Sequence, residues 1–372
     1  MMLALRRHIE RAREQWRNIV YCRAFPPVRF LLHAARFFFD YRFRAGRASP
    51  PLSVSLMVTM RCDLSCAMCK LADKMNAGDR DMPLSLIERI VDELAPARPL
   101  VMLSGGEPFL RADIIDIIRL PSRRGLECGI FTNGLSLTPP RADELTAPGL
   151  KVRFLAFSVL GPPEVHDRIT GRPGAFARLE GHLRYFLKKR GKTTCFLSST
   201  VSEDNLNHLE EIVALGKRWG VDFVRLVHPC LISPRELEQS REFMARVFPG
   251  EEIREVNFLC ALSGKEERFT RATGAMLKRH PRFVYFTPSL SAEEIPLWYA
   301  ERFGLRRKCY FCWNSGFIYP NGDVCPCESF YYRLGNVNEQ PFLEIWNNER
   351  YRRFRSALKT MIFPGCARCC KL

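Results

Sequence analysis

Between residues 52 and 228, short apolar runs alternate with longer stretches in which apolar residues recur every three or four positions. The runs cover 53–60, 100–104, 127–132, 152–159, 194–201 and 223–227. Their length and content predict buried strands, whereas 84–94, 113–119, 175–189 and 206–219 have the spacing of amphipathic helices. Strand followed by helix, six times over, predicts an α/β fold whose sheet is parallel and whose crossovers are right-handed. A site on such a sheet is expected at the C-terminal ends of its strands.

The flanks follow other patterns. Residues 1–51 form a basic helical region: 6–21 has helical spacing, Pro26 and Pro27 interrupt it, and 28–44 carries Phe30, Leu31, Ala34, Phe37, Phe38 and Tyr41 at helical intervals. An apolar stripe of this kind can lie on a membrane surface or pack on the rest of the chain, and packing is the favoured expectation. Residues 235–308 are charged, mostly helical in pattern and without a motif, so they are expected to bridge, with loops near Pro281, Pro288 and Pro296. Residues 309–372 are rich in cysteine.

A chain of 372 residues is long enough for a large barrel-sized domain and a small second one. Ten of its 15 cysteines fall in clusters, at 62/66/69, 309/312, 325/327 and 366/369/370, which is not the spread of a disulfide framework. With no signal-peptide pattern and no apolar run of membrane-spanning length, the cytosol is the expected compartment, with a peripheral position at the inner membrane face as its variant. The net charge of +17 fits either a solvated basic surface or an anionic partner: a membrane, an acidic peptide or a phosphorylated substrate. Nucleic acid is not expected, because no binding module is present.

The chemistry begins in the loop after the first strand. Cys62, Cys66 and Cys69 are separated by three residues and then two, so one tight loop can place three thiolates on one cluster. Three ligands leave one iron open to an exogenous group, whereas four close the cluster. Zinc awaiting a fourth ligand, or reduced thiols without metal, are the plainer readings of the loop alone. The loop, with Met68 before its last cysteine, resembles the signature of the radical S-adenosylmethionine (radical SAM) superfamily. The segments Ser104-Gly105-Gly106-Glu107-Pro108, Phe131-Thr132-Asn133-Gly134 and Val165-His166-Asp167-Arg168 are similar to other family segments, in the family's order.

That resemblance implies a partial (β/α)6 TIM-like barrel. It also implies S-adenosylmethionine bound to a 4Fe-4S cluster held by Cys62, Cys66 and Cys69, reductive cleavage to a 5′-deoxyadenosyl radical, and abstraction of a substrate hydrogen. An electron donor such as flavodoxin or ferredoxin is implied as well. Gly105 and Gly106 would bring backbone carbonyls to the cofactor's ammonium and Glu107 would reinforce that cationic end. Asn133 and Ser158 would bond the ribose or the methionine carboxylate, and Arg168 or Arg172 would pair with that carboxylate. The family often reads SLDG where this chain has Ser158-Val159-Leu160-Gly161, so no role for an acid transfers to Leu160. No catalytic acid or base is nominated.

The segment from Cys312 through Gly322 to Cys327, followed by the Cys366/Cys369 pair, resembles a truncated SPASM domain, a small cysteine-rich auxiliary-cluster module. It implies a second, auxiliary 4Fe-4S cluster on Cys312, Cys327, Cys366 and Cys369, leaving Cys309, Cys325 and Cys370 over. A zinc site built from Cys309, Cys312, Cys366 and Cys369 competes with it. Cys22, Cys128, Cys195, Cys230 and Cys260 read as isolated buried thiols. The expected function is an oxidoreductase or modifying enzyme acting on a peptide or small molecule. The alternatives are a membrane-docked form acting on a lipid, and a zinc-binding protein that interacts with nucleic acid or protein without catalysis.

Overall fold

The computed structural model describes residues 27–69, 81–251, 253–255, 258–259, 265–300, 308–360 and 362–371. The expected helix at 6–21, Cys22 and Cys260 lie outside these residues. All six expected strands form, as β1 (Ser53–Thr59), β2 (Leu100–Gly105), β3 (Cys128–Thr132), β4 (Val152–Ser158), β5 (Thr194–Thr200) and β6 (Phe223–Val227). They pair in sequence order and in parallel. Further on lie β7 (Leu231–Ile232), β8 (Ile253–Glu255), β9 (Phe258–Leu259), β10 (Val284–Thr287), β11 (Ser315–Ile318), β12 (Asp323–Cys325), β13 (Phe330–Tyr332) and β14 (Gly335–Asn336).

The sheet is larger than six strands. β10, inside the stretch expected only to bridge, pairs in parallel with β6, and β11 pairs in parallel with β1 at the other edge. β12 and β14 then extend it antiparallel, so one ten-stranded sheet runs from the barrel into the cysteine-rich region. A strand of four residues bounded by prolines carries too little period to be told from a loop in the sequence.

Helices cover the outer face, in chain order α1 (Pro27–Phe43), α2 (Leu84–Leu94), α3 (Ile114–Arg123), α4 (Pro139–Leu145), α5 (Pro163–Thr170), α6 (Ala175–Lys189) and α7 (Leu209–Trp219). On α2, Leu86, Ile87, Ile90, Val91 and Leu94 recur at the helical period and are all buried. Each such side chain contributes about 1.5–3 kcal/mol of transfer free energy. The inner face of the sheet has its own apolar cluster of Leu100, Phe154, Ala156, Phe196, Phe223 and Tyr285. These side chains come mostly from the first half of their strands, away from the strands' C-terminal ends.

The later helices are α8 (Pro234–Val247), α9 (Glu266–Arg279), α10 (Glu294–Tyr299), α11 (Phe311–Asn314), α12 (Phe342–Ile345) and α13 (Glu349–Thr360). Glu93 of α2 accepts the amides of Phe342 and Leu343 at 2.8 and 2.5 Å, so the start of α12 is capped by the barrel. α1 packs on α11, where Phe37 meets Tyr310 and Tyr41 meets Trp313 edge-on, and His33 Nε2 lies 2.7 Å from Asn314 Oδ1. The helix therefore rests at the entry to the cysteine-rich region, while Leu32, Phe38, Phe39 and Phe43 are exposed. No described helix is long and apolar enough to cross a membrane.

Candidate functional site

The three-cysteine loop leaves the C-terminal end of β1 and is held on two sides. Ser65 and Ala67 donate their amides to the carbonyls of Thr170 and Ile169 at the end of α5, both at 3.1 Å. On the other side the amides of Gly106 and Glu107 donate to the Thr59 and Arg61 carbonyls at 2.9 and 2.8 Å. This approach explains both glycines: a β-carbon on Gly105 would sit 2.1 Å from the Thr59 carbonyl oxygen, and one on Gly106 would sit 2.1 Å from that of Arg61. Gly105 also has φ of 131°, a region that suits glycine. The glycines thus serve the loop's backbone first.

Cys62, Cys66 and Cys69 are half-buried. Burial pushes the Cys62 thiol up to about 11, with Glu107, Asp63 and Cys69 adding to the rise. Burial, then Cys62 and Cys69, pushes Cys66 up to about 12. Cys62 and Cys66, raised in this way, would lose their protons to a cationic centre that binds them as thiolates. The donor set fits an iron-sulfur cluster with three protein ligands.

Glu107 is fully buried. Its carboxylate accepts the Phe109 amide at 2.9 Å, the Thr132 hydroxyl at 2.8 Å and the Asn133 amide at 2.6 Å. Burial, opposed by those three donors, raises it to about 7. It clamps the end of β2 to the end of β3 directly beneath the loop. Asn133 is drawn in too: its side-chain amide donates to Asp63 at 2.8 Å and its side-chain oxygen accepts the Leu135 amide.

The two candidate arginines part company. Arg172 bonds the Asp63 carbonyl at 2.9 Å and its carboxylate at 3.2 Å, gripping the cysteine loop, whereas Arg168 is exposed on α5. In the same segment Asp167 caps Gly174 and Phe176. His166 Nδ1 accepts the Leu160 amide at 3.2 Å, and burial lowers the ring to about 4, so it is neutral there. Leu160 packs with Val165, Ile169 and Met68, an apolar contact where the resemblance would place an acid.

Ser158 ends β4 half-buried, in register with Ser198 of β5, which is in register with Arg225 of β6. Arg225 bonds the Ser198 hydroxyl through Nε and Nη2, at 3.2 and 2.8 Å, and lies over the rings of Phe131 and Phe196. This guanidinium belongs to none of the sequence motifs. A single charge inside an otherwise apolar strand, Phe-Val-Arg-Leu-Val, was the signal that marks it. At the opposite end of the barrel, Arg98, Lys151, Arg153 and Lys192 line a basic recess remote from the loop.

In the C-terminal region, Cys309, Cys312, Cys327, Cys366 and Cys369 line one buried cavity with Phe311, Phe330, Phe354, Leu358 and Lys371. The four expected ligands are thus together, and Cys309, expected to be spare, joins them. Cys309 and Cys312 share a hydrogen bond, and Cys312 also lies near Cys327 and Cys366. Behind them Arg355 is wholly buried. It donates to the carbonyls of Cys312, Gly46 and Trp346 and lies over the rings of Tyr351 and Trp346 at 3.9 and 4.1 Å. Burial lowers its pKa to about 10. Cys325 packs separately with Met57, Met60, Phe317 and Tyr319, and Cys128 and Cys195 are buried in their strands. Cys230, expected to be isolated, lies beside Cys369 and Cys370.

Comparison with known proteins agrees with this layout. Residues 56–216 match the radical SAM superfamily, and residues 309–370 match the SPASM iron-sulfur cluster-binding domain. The chain is 27% identical over 308 residues to the AdoMet-dependent heme synthase of Methanosarcina barkeri, covering 82% of this chain and 85% of that protein. It is 26% identical over 328 residues to the PqqA peptide cyclase of Xanthomonas axonopodis pv. citri, covering 86% of this chain and 81% of that one. In fold it is similar to Streptococcus suis SuiB bound to S-adenosylmethionine, with a TM-score of 0.60 and 18% identity over 87% of this chain and 71% of that one.

Proposed function

We propose that this chain, which is a radical SAM enzyme with a C-terminal SPASM domain, uses the Cys62, Cys66 and Cys69 loop to start radical chemistry on an anionic substrate held inside the barrel. The observation that carries the reading is the loop itself: three half-buried thiols at the C-terminal edge of the sheet, away from the apolar cluster on its inner face. When bound, the 4Fe-4S cluster and S-adenosylmethionine supply a 5′-deoxyadenosyl radical that removes a substrate hydrogen atom. The chain's residues position and shelter that event. Gly105 and Gly106 let the β2 end meet the loop, Glu107 and Asn133 fasten β3 to it, and Arg172 braces it through Asp63. Ser158 faces the interior and is the residue suited to a cofactor hydroxyl or carboxylate.

Arg225 supports the substrate class. Its described hydrogen bonds go to one serine hydroxyl, and no carboxylate among the described ion pairs answers its charge. A guanidinium held between aromatic faces inside a barrel suits a carboxylate on the substrate. The names of the relatives, a heme synthase and a peptide cyclase, keep a small molecule and a peptide both in view. Cys312, Cys327, Cys366 and Cys369 are the thiols proposed for the auxiliary cluster, with Cys309 lining the same cavity. A cluster held there would supply a one-electron acceptor close to the barrel, the chemistry a two-electron oxidation of the substrate would need.

The test is anaerobic purification and cluster reconstitution, then dithionite and S-adenosylmethionine with chromatography of the products. About eight irons and eight sulfides per chain, with 5′-deoxyadenosine and methionine formed, is the expected result. Iron at that level with no cleavage would overturn the assignment of the loop.

A further inference from the structure

We propose that the outward face of α1 lies on an anionic membrane surface and turns the cysteine-rich end of the molecule toward it. Leu32, Phe38, Phe39 and Phe43 are each more than half exposed, and they are four of the five large apolar side chains found exposed among the described residues. Single apolar residues scattered over a surface need no explanation, but four on one helix do.

The helix has two apolar sides. His33, Phe37 and Tyr41 pack on α11 and its flanks, which occupies one of them. On the other, Leu32, Ala35, Phe39 and Phe43 follow one another three and four positions apart, so they form a line along the helix, with Phe38 beside it. The Phe39 and Phe43 rings are neighbours on that line, 5.5 Å between centroids.

Charge selects what covers this second side. Arg36 and Arg42 are exposed there, and the Arg42 guanidinium lies 5.9 Å from the centroid of the Phe43 ring. The one acid of the helix, Asp40, is buried and accepts from Arg44 at 3.1 Å and from the Ser49 amide at 2.5 Å. The first 51 residues hold eleven arginines, no lysine and three acids, a net charge of +8 out of the chain's +17. A second copy of this face would set one basic surface against another, like charge on like. Residues 1–26 carry six arginines against two glutamates and so offer no counter-charge either. An anionic bilayer meets both demands: its headgroups pair with guanidinium groups, and its acyl boundary takes up Phe and Leu side chains. At 17 residues, with Arg29, Arg36 and Arg42 among them, α1 is suited to lie on a bilayer and not to cross it.

The experiment is flotation of the reconstituted full chain with vesicles of phosphatidylcholine alone, and of phosphatidylcholine with about a third phosphatidylglycerol. It is run on wild type and on a variant carrying Phe38→Ser, Phe39→Ser and Phe43→Ser. The expected result is binding about tenfold tighter to the anionic vesicles than to the neutral ones, weakened by salt and lowered about tenfold in the variant. Because the three side chains are exposed, the variant's melting midpoint, iron content and cofactor cleavage should match wild type. Hydrogen exchange of the wild type reads the same face without a variant, and the amides of α1 should exchange more slowly when anionic vesicles are present. No preference for anionic vesicles, unchanged exchange in α1, or undiminished binding by the variant overturns the proposal. A dimer that the variant dissociates, without vesicle binding, would identify a second copy as the occupant and overturn it as well. None of these outcomes touches the cysteine loop, whose failure would show as missing cofactor cleavage.

Discussion

The two cysteine regions solve opposite problems. The loop at Cys62, Cys66 and Cys69 is half-buried, short, and held by backbone hydrogen bonds to the ends of α5 and β2. The C-terminal thiols are fully buried and backed by Arg355, whose hydrogen bonds reach the Cys312 carbonyl. A centre that must accept an exogenous ligand needs one accessible side, while a centre that only passes electrons or holds structure gains from closure. Access, more than cysteine count, separates reaction from containment here.

The sharpest way to break that comparison is to remove one thiol from each region. Cys62→Ala should abolish 5′-deoxyadenosine formation, a loss of at least about a thousandfold, and remove about four irons per chain, while the melting midpoint barely moves. Cys312→Ala should retain cofactor cleavage within about tenfold but lose a similar amount of iron and about 1–3 kcal/mol of stability. It empties a buried position and removes the thiol that donates to the Pro326 carbonyl at 3.4 Å. Equal destabilisation by both variants would sink the distinction.

Two arginines sharpen it at the next level. Arg355→Met leaves three buried carbonyls without their donor and should cost several kcal/mol, read as a fall in the urea midpoint. Arg225→Met faces a half-open interior, so stability should change little. Its cost should appear as a loss of about 10- to 100-fold in the acceleration that a carboxylate-bearing substrate gives to cofactor cleavage, the scale of one charged hydrogen bond or two. If cleavage without substrate falls equally, Arg225 serves the cofactor.

What the sequence disclosed follows the same division. The six strands and the cysteine loop were legible because each is carried by local pattern: apolar runs of five or more residues, or fixed spacing within one loop. β10 was not, since Val284–Thr287 is only four residues between turns, and β11 lay hidden because its pairing with β1 is settled by tertiary contact. Glu107 reads in the sequence as a loop acid on the cofactor's cationic end, but its burial depends on Thr132 and Asn133 from the next strand. Cys230 could not be grouped with Cys369 and Cys370 because 139 positions separate the first pair. Motifs reveal thiols that are neighbours in sequence; they are silent on those joined by the fold.

Glu107 provides the finest test, because it lies beneath the loop yet is as buried as anything in the C-terminal region. Its ordinary value of 4.5 is raised to about 7, chiefly by burial. A carboxyl whose folded value is raised contributes stability that is complete below 4.5 and is lost as pH climbs through 7. In Glu107→Gln the neutral amide resembles the protonated acid, its nitrogen facing the Asn133 or Phe109 N–H where the acid has its O–H, so the two share that mismatch at acid pH. In metal-free protein, urea melts from pH 5 to pH 8 should therefore show variant and wild type within about 1 kcal/mol at the acid end, with the variant gaining on wild type as pH climbs toward 7. A variant that fell further below wild type toward pH 8 would mean that the three donors outweigh burial, and that Glu107 stands beneath the loop as a stabilised anion.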